Sequence, residues 1–414
     1  MRPNSATDPS FVVQHLKERG LFQDSTPGLE EHLKEKRYVY AGFDVTADSL
    51  HLGNLLVILT LYRYKMMGHM PVILYGGATT KIGDPSGKQS DRPLLSVEQI
   101  EHNLRKISAN LEQILGTDLL FVNNADWFDQ MTVPTFLRDI GRFFRVSQML
   151  AKDSVRSRME AEEGISFCEF SYQLLQGYDF YHLAETHNVT VQIGGSDQWG
   201  NMTAGTDFSR RRLGKELHVM TIPLMLRSDG KKFGKSESGA IYLSKERTSP
   251  YAFYQYLLSI PDEDVVMCLK RFTWLSMEEI ESLQGLERQK KLASELTRFI
   301  HKEHGLQEAL RLTEVAFSDS LGTKEDYDQI FDAFPHAALS KATCQSKTLI
   351  EICVEAGLIS SKSEGVRLCA AQGLRVNGSI IQDPKELFQM NVLIGGTYLF
   401  AQLGKKKKML ISFS

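Results

Sequence analysis

Residues 37–75, RYVYAGFDVTADSLHLGNLLVILTLYRYKMMGHMPVILY, hold the pattern on which the fold turns. Arg37 to Gly42 reads as a short strand, Thr46 to Ser49 as a turn, and His51 to about Met67 as an apolar helix stopped by Gly68. Pro71 to Tyr75 follows at once as a second strand. A strand, a helix and a strand with so short a return form a βαβ unit, which predicts a parallel sheet with a right-handed crossover. Ligands in such sheets sit beyond the carboxyl ends of the strands. Here those ends are Gly42-Phe43-Asp44 and Gly76-Gly77-Ala78.

Outward from this unit, Leu95 to Gly116 is an amphipathic helical pattern and Met131 to Glu163 is largely helical with mixed charge. Glu169 to His187 is a further helix that leads into a strand at Val189 to Ile193, so the first half is α/β. After Pro250 helical patterns without clear strands run to Phe334-Pro335 and predict a separate helical domain. A looser stretch, Pro335 to Ser346, precedes a helix, turn, helix and hairpin, with Asn377-Gly378 as a type I′ turn between Leu374–Val376 and Ser379–Ile381. The predicted organisation is an α/β part over 1–226 with an insertion at about 130–167, a mobile basic linker at 227–248, a helical domain at 249–335, a linker at 336–346 and a small α+β domain at 347–414.

The 414 residues, 42% hydrophobic and 24% charged, are ordinary globular composition with length for two or three domains. A net charge of -3 gives no global positive field, which excludes a histone-like binder and leaves any nucleic-acid contact to local basic clusters. Five scattered cysteines, none in a C-x-x-C pair, point to a reducing cytosol and no structural zinc. Met1 to Gly20 lacks the apolar core of a secretory signal, and the longest apolar run, around Leu55 to Leu61, falls below the ~18 residues of a membrane span. A soluble cytoplasmic protein is expected.

Several stretches could carry chemistry. His51-Leu52-Gly53-Asn54 opens the crossover helix, where unpaired N–H groups favour phosphate and Gly53 leaves room for a flat ligand; simple capping by His51 and Asn54 is the alternative. Gly83-Asp84-Pro85-Ser86-Gly87-Lys88 is not a Walker A loop, because Ile82 stands where glycine is needed and Gln89 follows Lys88. Asp84 there suits a substrate ammonium, while Lys88 and Arg92 suit phosphate. Tyr172, Gln176 and Asp179 share one helix face and would hold a small polar solute, unless that face is simply solvated. In Gly194-Gly195-Ser196-Asp197-Gln198, Asp197 suits ribose hydroxyls, and Gln198 breaks the G-x-S-x-G hydrolase pattern. Lys231-Lys232-Phe233-Gly234-Lys235-Ser236 is a basic loop able to reach phosphates, or a solvated one. His301 and His304 lack further ligands at metal spacing and read as surface residues.

Taken in order, Tyr40-Ala41-Gly42-Phe43-Asp44, His51-Leu52-Gly53-Asn54, Gly83 to Lys88, Gly194 to Gln198 and Lys232-Phe233-Gly234-Lys235-Ser236 form a set that closely resembles the bacterial tyrosyl-tRNA synthetase family of class I aminoacyl-tRNA synthetases. The resemblance runs from about Leu33 onward and includes a C-terminal part similar to the ribosomal-protein S4 type of RNA-binding domain. It implies a Rossmann-like parallel-sheet catalytic domain, a helical anticodon-binding domain and a small S4-like domain. His51 to Asn54 would be the H-I-G-H-type motif, with Asn54 for the second histidine. Lys232 to Ser236 would be the K-M-S-K-S-type motif, with Phe233 and Gly234 for Met and Ser.

The family pattern further implies that Tyr40 and Asp179 meet the substrate phenol, that Asp84, Tyr172 and Gln176 hold its ammonium, and that Gln198 joins this pocket. Gly42, Asp44, His51, Gly53, Gly195, Asp197 and Lys235 would hold ATP. His51, Thr46, Asn54, Lys88, Arg92, Lys232 and Lys235 would stabilise the transferring phosphate. ATP with Mg2+ acts as substrate, and neither a tightly bound cofactor nor a resident metal is expected. Arg210, Arg211, Arg212, Arg367, Arg375 and Lys405, Lys406, Lys407 and Lys408 are the expected contacts to tRNA(Tyr). A homodimer joined through 130–167 is also implied. Three alternatives stand beside this reading: a metabolite nucleotidyltransferase of the same motif type, a synthetase-derived RNA-binding protein without catalysis, and a tryptophan-specific synthetase.

Overall fold

Parallel strands covered on both faces need apolar residues at successive positions rather than alternating ones. The computed structural model describes residues 8–86, 95–160, 164–228, 230, 233–236, 239–317, 321–404 and 407–414. A short helix α1 (Val12–Glu18) precedes β1 (Asp24–Ser25), β2 (Tyr38–Asp44), β3 (Met70–Gly76), β4 (Leu120–Asn123), β5 (Val189–Gly195) and β6 (His218–Ile222), which form one sheet in the order β1-β6-β5-β2-β3-β4. The strands from β6 to β4 run parallel, and β1 pairs antiparallel with β6 at the edge. Pro71 to Gly76 of β3 and all of β6 are buried, as two covered faces require.

The predicted βαβ unit is present, with a tight turn at Leu52–Asn54 before α2 (Leu55–Met66). Helix α3 (Val97–Leu115) leads into β4, α4 (Phe167–Thr186) precedes β5, and α5 (Trp199–Leu213) joins β5 to β6. The chain leaves β2 toward β3 on one side and β5 toward β6 on the other, so a crevice opens at the carboxyl ends of β2 and β5. Helices α4 and α5 approach closely because of their glycines: a Cβ on Gly205 would stand 3.0 Å from Phe180 Cβ. A two-stranded hairpin, β7 (Lys235–Ser236) and β8 (Gly239–Ala240), lies in the basic segment.

The chain forms two compact units, residues 1–247 with 260–292, and residues 248–259 with 293–414. The stretch expected as one helical domain is thus divided, and α6 (Asp262–Phe272) belongs with the large sheet. Its periodicity announces a covered face, Val265, Cys268, Leu269 and Phe272, but not which body covers it.

In the second unit, β9 (His336–Leu339), β10 (Leu374–Val376), β11 (Ser379–Ile380), β12 (Tyr398–Leu403) and β13 (Lys407–Phe413) form a sheet in the order β11-β10-β12-β13-β9. The stretch read as a loose linker at 336–346 is therefore corrected: His336 to Leu339 is an edge strand parallel to β13. Its Ala-rich, weakly β-forming sequence hides it, and its partner lies some seventy residues away by the pairing of His336 with Leu410. Asn377 and Gly378 have φ of 46° and 78°, the positive pair that a type I′ turn demands. Tyr251, Leu312, Tyr327 and Phe334 from the helical stretch share one core with Tyr398, Phe400 and Leu410 from the sheet. Tyr327 stacks on Phe400 at 5.8 Å, and Tyr398 Oη donates to Asp328 Oδ1 at 2.7 Å. Among the described residues no helix is long and apolar enough to cross a membrane.

Beside β3, His69 is buried with its two ring nitrogens in different roles: Nδ1 accepts from Arg37 N–H at 3.3 Å, and Nε2 faces Pro9 O at 3.2 Å. Only the neutral ring satisfies both contacts. Burial brings its pKa down to about 4, with the charge of Arg37 acting in the same sense and the contact to Pro9 O against it. A histidine held neutral when folded binds its proton more readily unfolded, so stability falls as pH drops from ~6.5 through the folded value. We predict that His69→Gln, which offers one acceptor and one donor without titrating, removes part of this acid slope, up to ~1.4 kcal/mol per pH unit, in denaturant midpoints followed against pH.

A candidate active site between β2 and β5

A cavity of about 650 Å³ occupies the crevice, lined by the carboxyl ends of β2 and β5 and by α4. Tyr40, Gly42, Asp44, Thr46, His51, Gly53, Asn54, Asp84, Tyr172, Gln176, Asp179, Gly195, Asp197 and Gln198 all line it. Residues separated by more than 150 positions are thereby brought together. Lys88, Arg92 and Lys232 fall outside the described residues, as do Lys405 and Lys406, and for Lys235 only the backbone is described.

At the depth of the cavity Asp179 is almost fully buried on α4. Asn124 Nδ2 donates to its Oδ2 at 3.1 Å and Trp127 Nε1 to its Oδ1 at 3.0 Å. Burial pushes its pKa well above the usual carboxylate range, against the two donors, which favour the charged form. Tyr40 Oη, buried on β2, has no hydrogen-bond partner among the described residues. Burial, then the charge of Asp179, raises the pKa of this phenol, so it stays protonated with a donor to offer. Asn124 also donates to Thr79 Oγ1 at 3.1 Å, Thr79 donates to Asp44 Oδ1 at 2.8 Å, and Tyr172 Oη donates to Asp44 Oδ2 at 3.2 Å. A continuous chain of bonds thus joins Asp179 to Tyr172 through Asn124, Thr79 and Asp44.

Asp84, also buried, accepts from Gln198 Nε2 at 2.8 Å, from Ser86 N–H at 3.1 Å and from Asn201 Nδ2 at 3.4 Å. Burial raises the Tyr172 pKa, followed by the charges of Asp44, Asp84 and Asp179. Tyr172, which touches Asp44, thus also feels Asp84 and Asp179, and this acidic depth, which Gln176 lines as well, favours a ligand carrying an ammonium group. Sequence reading missed Thr79, Asn124, Trp127 and Asn201. Asn124 and Trp127 follow β4, a strand whose four half-buried residues gave no pattern to read.

The mouth is built on the turn before α2. His51 N–H donates to Asn54 Oδ1 at 3.1 Å, and the His51 side chain accepts in return from the Asn54 backbone. The capping reading of these residues is thus present in the structure, alongside their exposure to the cavity. A Cβ on Gly53 would stand 2.8 Å from the His51 ring, and one on Gly195 2.4 Å from Asp197 Oδ1. The segment expected as a mobile linker is tied here where it is described. Ile241 N–H donates to Gly234 O at 2.9 Å, Leu52 N–H to Ile241 O at 2.7 Å and Leu243 N–H to Leu50 O at 2.8 Å. Gly234 has φ of +83°, and a Cβ there would lie 2.9 Å from Leu52 Cβ. Glycine is therefore required where the generic motif has serine.

Of the expected RNA contacts, Arg210, Arg211 and Arg212 are exposed at the end of α5; Arg210 pairs with Asp207, and Arg211 donates to Phe143 O at 2.8 Å. Arg367 is exposed and Arg375 half-buried. Two expectations are corrected. Lys408 is buried and donates to Phe317 O at 2.8 Å, because alternation along β13 turns it inward while Lys407 faces out. His301 is half-buried, edge-on to Phe253 at 5.2 Å, whereas His304 is exposed as expected.

Residues 32–319 match the family described as tRNA synthetases class I (W and Y), and residues 348–394 match the S4 domain. The chain is 43% identical to the tyrosine–tRNA ligase of Protochlamydia amoebophila over 97% of its own length and 98% of the relative's. It is 42% identical to the chloroplastic/mitochondrial tyrosine–tRNA ligase of Arabidopsis thaliana over 99% and 85% of the two chains. Among solved structures, a C-terminally truncated mitochondrial tyrosyl-tRNA synthetase of Aspergillus nidulans is similar with a TM-score of 0.65 and 28% identity, over 73% of this chain and 94% of that one.

Gly234→Ala should cost about 1–2 kcal/mol at the docked segment, since it adds a left-handed penalty to the clash with Leu52. The check is proteolytic nicking between residues 227 and 248, which should speed up while cleavage elsewhere is unchanged.

Proposed function

This chain belongs to the class I tRNA synthetases for tryptophan and tyrosine, and we infer that it activates L-tyrosine with ATP and transfers it to tRNA(Tyr). The observation that carries the choice of amino acid is the buried Tyr40 hydroxyl, without a partner among the described residues, in the cavity that Asp179 also lines. A substrate phenol satisfies both groups at once, donating to the Asp179 carboxylate and accepting from Tyr40. An indole N–H would leave Tyr40 unpaired, and a phenylalanine ring would leave both unpaired. Asp84, Tyr172 and Gln176 take the ammonium group in this reading, with Gln198 holding the Asp84 carboxylate in place.

In the first step a carboxylate oxygen of tyrosine attacks the α-phosphorus of ATP, and the bond to pyrophosphate breaks with its electrons leaving on pyrophosphate. The nucleophile is already an anion, so no general base is needed. Rate comes from alignment and from charge stabilisation on the phosphates. His51, Thr46 and Asn54 are proposed to meet the phosphates, together with Lys88, Arg92, Lys232 and Lys235. Gly42, Gly53 and Gly195 leave space for the nucleoside, and Asp197 accepts from its ribose. Asp44 and Asp197 would repel a bare triphosphate, so ATP is proposed to enter as its magnesium complex, in which the ion spreads the phosphate charge. In the second step the hydroxyl oxygen of the terminal tRNA ribose attacks the acyl carbon, AMP leaves, and the hydroxyl proton is released.

The S4 match supports RNA contact by the second unit, with Arg367 and Arg375 in or beside it. A homodimer is proposed through 130–167, where Val133 and Phe167 are 71% and 78% exposed beside Leu137, Val146 and Met159. Cytoplasmic residence is part of the same reading.

Tyrosine-dependent exchange of labelled pyrophosphate into ATP tests it, with phenylalanine and tryptophan as comparisons. Exchange with tyrosine alone is expected; exchange driven by tryptophan instead would overturn the assignment. Tyr40→Phe should weaken tyrosine binding by about two- to tenfold, the ~0.5–1.5 kcal/mol of one neutral hydrogen bond, and narrow the preference over phenylalanine.

A further inference from the structure

Residues in and just before the stretch resembling the K-M-S-K-S-type motif, here the second signature segment after the His51–Asn54 turn, are held by α6 where they are described. Ser228 N–H donates to both carboxylate oxygens of Asp264, in the first turn of α6, at 3.1 and 3.4 Å. In the last turn Arg271 Nη1 lies 3.1 Å from Met225 Sδ, and Phe272, the final residue, stacks on Phe233 at 5.2 Å with 20° between the rings. Phe233 precedes Gly234, whose carbonyl is bound by Ile241 N–H.

The carbonyl end of α6 is itself held by two buried arginines. Arg63 Nη2 donates to Thr273 O at 2.6 Å and Arg271 O at 3.2 Å. Arg19 Nη1 donates to Thr273 O at 2.9 Å and Lys270 O at 3.0 Å, and its Nη2 to Leu275 O at 2.7 Å. These bonds satisfy carbonyls that a helix end leaves open, with the cation at the favoured pole. Arg63 also lies 4.7 Å from the Trp274 ring. It projects from α2, the helix that continues directly from the turn presenting His51 and Asn54. Among the described residues neither arginine pairs with a carboxylate, and Arg63 Nε and Nη1 have no hydrogen-bond partner. A guanidinium buried without a counter-charge is a poor way to add stability, since apolar side chains fill such space at less cost. What it supplies is a fixed distance between α2 and the end of α6.

We propose that Arg63 is a positioning residue for adenylate formation, holding the carbonyl end of α6 from α2 so that Phe272 carries Phe233 in register with the first signature turn. The two phosphate-facing segments then belong to one frame. This inference rests on the reading of Lys232 to Ser236 as the phosphate-side loop of a tyrosine-activating site.

The test compares full-length wild type with Arg63→Lys, Arg63→Met, Phe272→Leu and the double variant Arg63→Met/Phe272→Leu. Tyrosine affinity is measured by equilibrium dialysis and turnover by pyrophosphate exchange at saturating tyrosine and ATP. Each single variant should keep the tyrosine Kd within twofold. Arg63→Met and Phe272→Leu should each lower turnover at least tenfold, Arg63→Lys should recover part of the Arg63→Met loss, and the double variant should be no slower than the worse single one. Unchanged turnover, a matching loss of tyrosine affinity, or a double effect equal to the product of the single ones would overturn the proposal. If the Arg63 variants do not fold, Phe272→Leu decides on the same split between affinity and turnover. Wild type that exchanges no pyrophosphate would instead overturn the tyrosine-activating reading, and the inference with it.

Discussion

Asp179 is taken out of water in the middle of the first unit, and a carboxylate moved there loses several kcal/mol of hydration, about the cost seen for buried ions, unless donors replace it. Asn124 and Trp127 supply two, and both follow the edge strand β4. Asn124 is committed further, to Thr79, and Thr79 to Asp44. The demand of one buried carboxyl group thus reaches residues at or just beyond the ends of β2, β3 and β4. The close approach of α4 to α5 through Gly177 and Gly205 holds the charge in place. A cavity walled in this manner is preorganised, because its polar groups are bound before any ligand arrives.

The same cavity differs in chemistry between its depth and its mouth. Carboxylates act together at its depth, while the turn at His51 to Asn54 and the glycines of both signature segments shape its mouth. An amino acid presents a cation and an anion only a few bonds apart. In the proposed reading it is held by its ammonium among these acids and directs its carboxylate outward, toward the nucleotide. Orientation of the nucleophile follows from electrostatics, and no side chain has to take a proton from it.

Much of this was legible in the residues. The βαβ unit at 37–75 was readable because a short apolar strand, an uninterrupted apolar helix and an immediate return leave few topologies, and Tyr172, Gln176 and Asp179 were readable because polar residues at helical spacing contradict a buried face. Asn124, Trp127, Thr79 and Asn201 were not, since each acts only through a partner brought near by the fold. Strand β9 was hidden for a related reason: His336 to Leu339 has little β character of its own and is a strand by virtue of β13. Lys408 shows the converse, a residue whose charge suggested surface while its parity on the strand turned it inward. The division of the helical stretch was equally silent, because amphipathicity specifies that a face is covered and leaves the covering body unnamed.

The chain passes between the two units three times, near residues 247, 259 and 292. Neither unit therefore corresponds to one uninterrupted piece of coding sequence. A polypeptide ended at 248 would carry every described residue that lines the cavity yet lack α6, leaving the apolar ring of Phe233 bare and Met225 and Ser228 without their partners. Gene fragments meant to separate catalysis from RNA recognition would have to retain residues 260–292, spliced across the excised helix, to yield a first half with an intact interior.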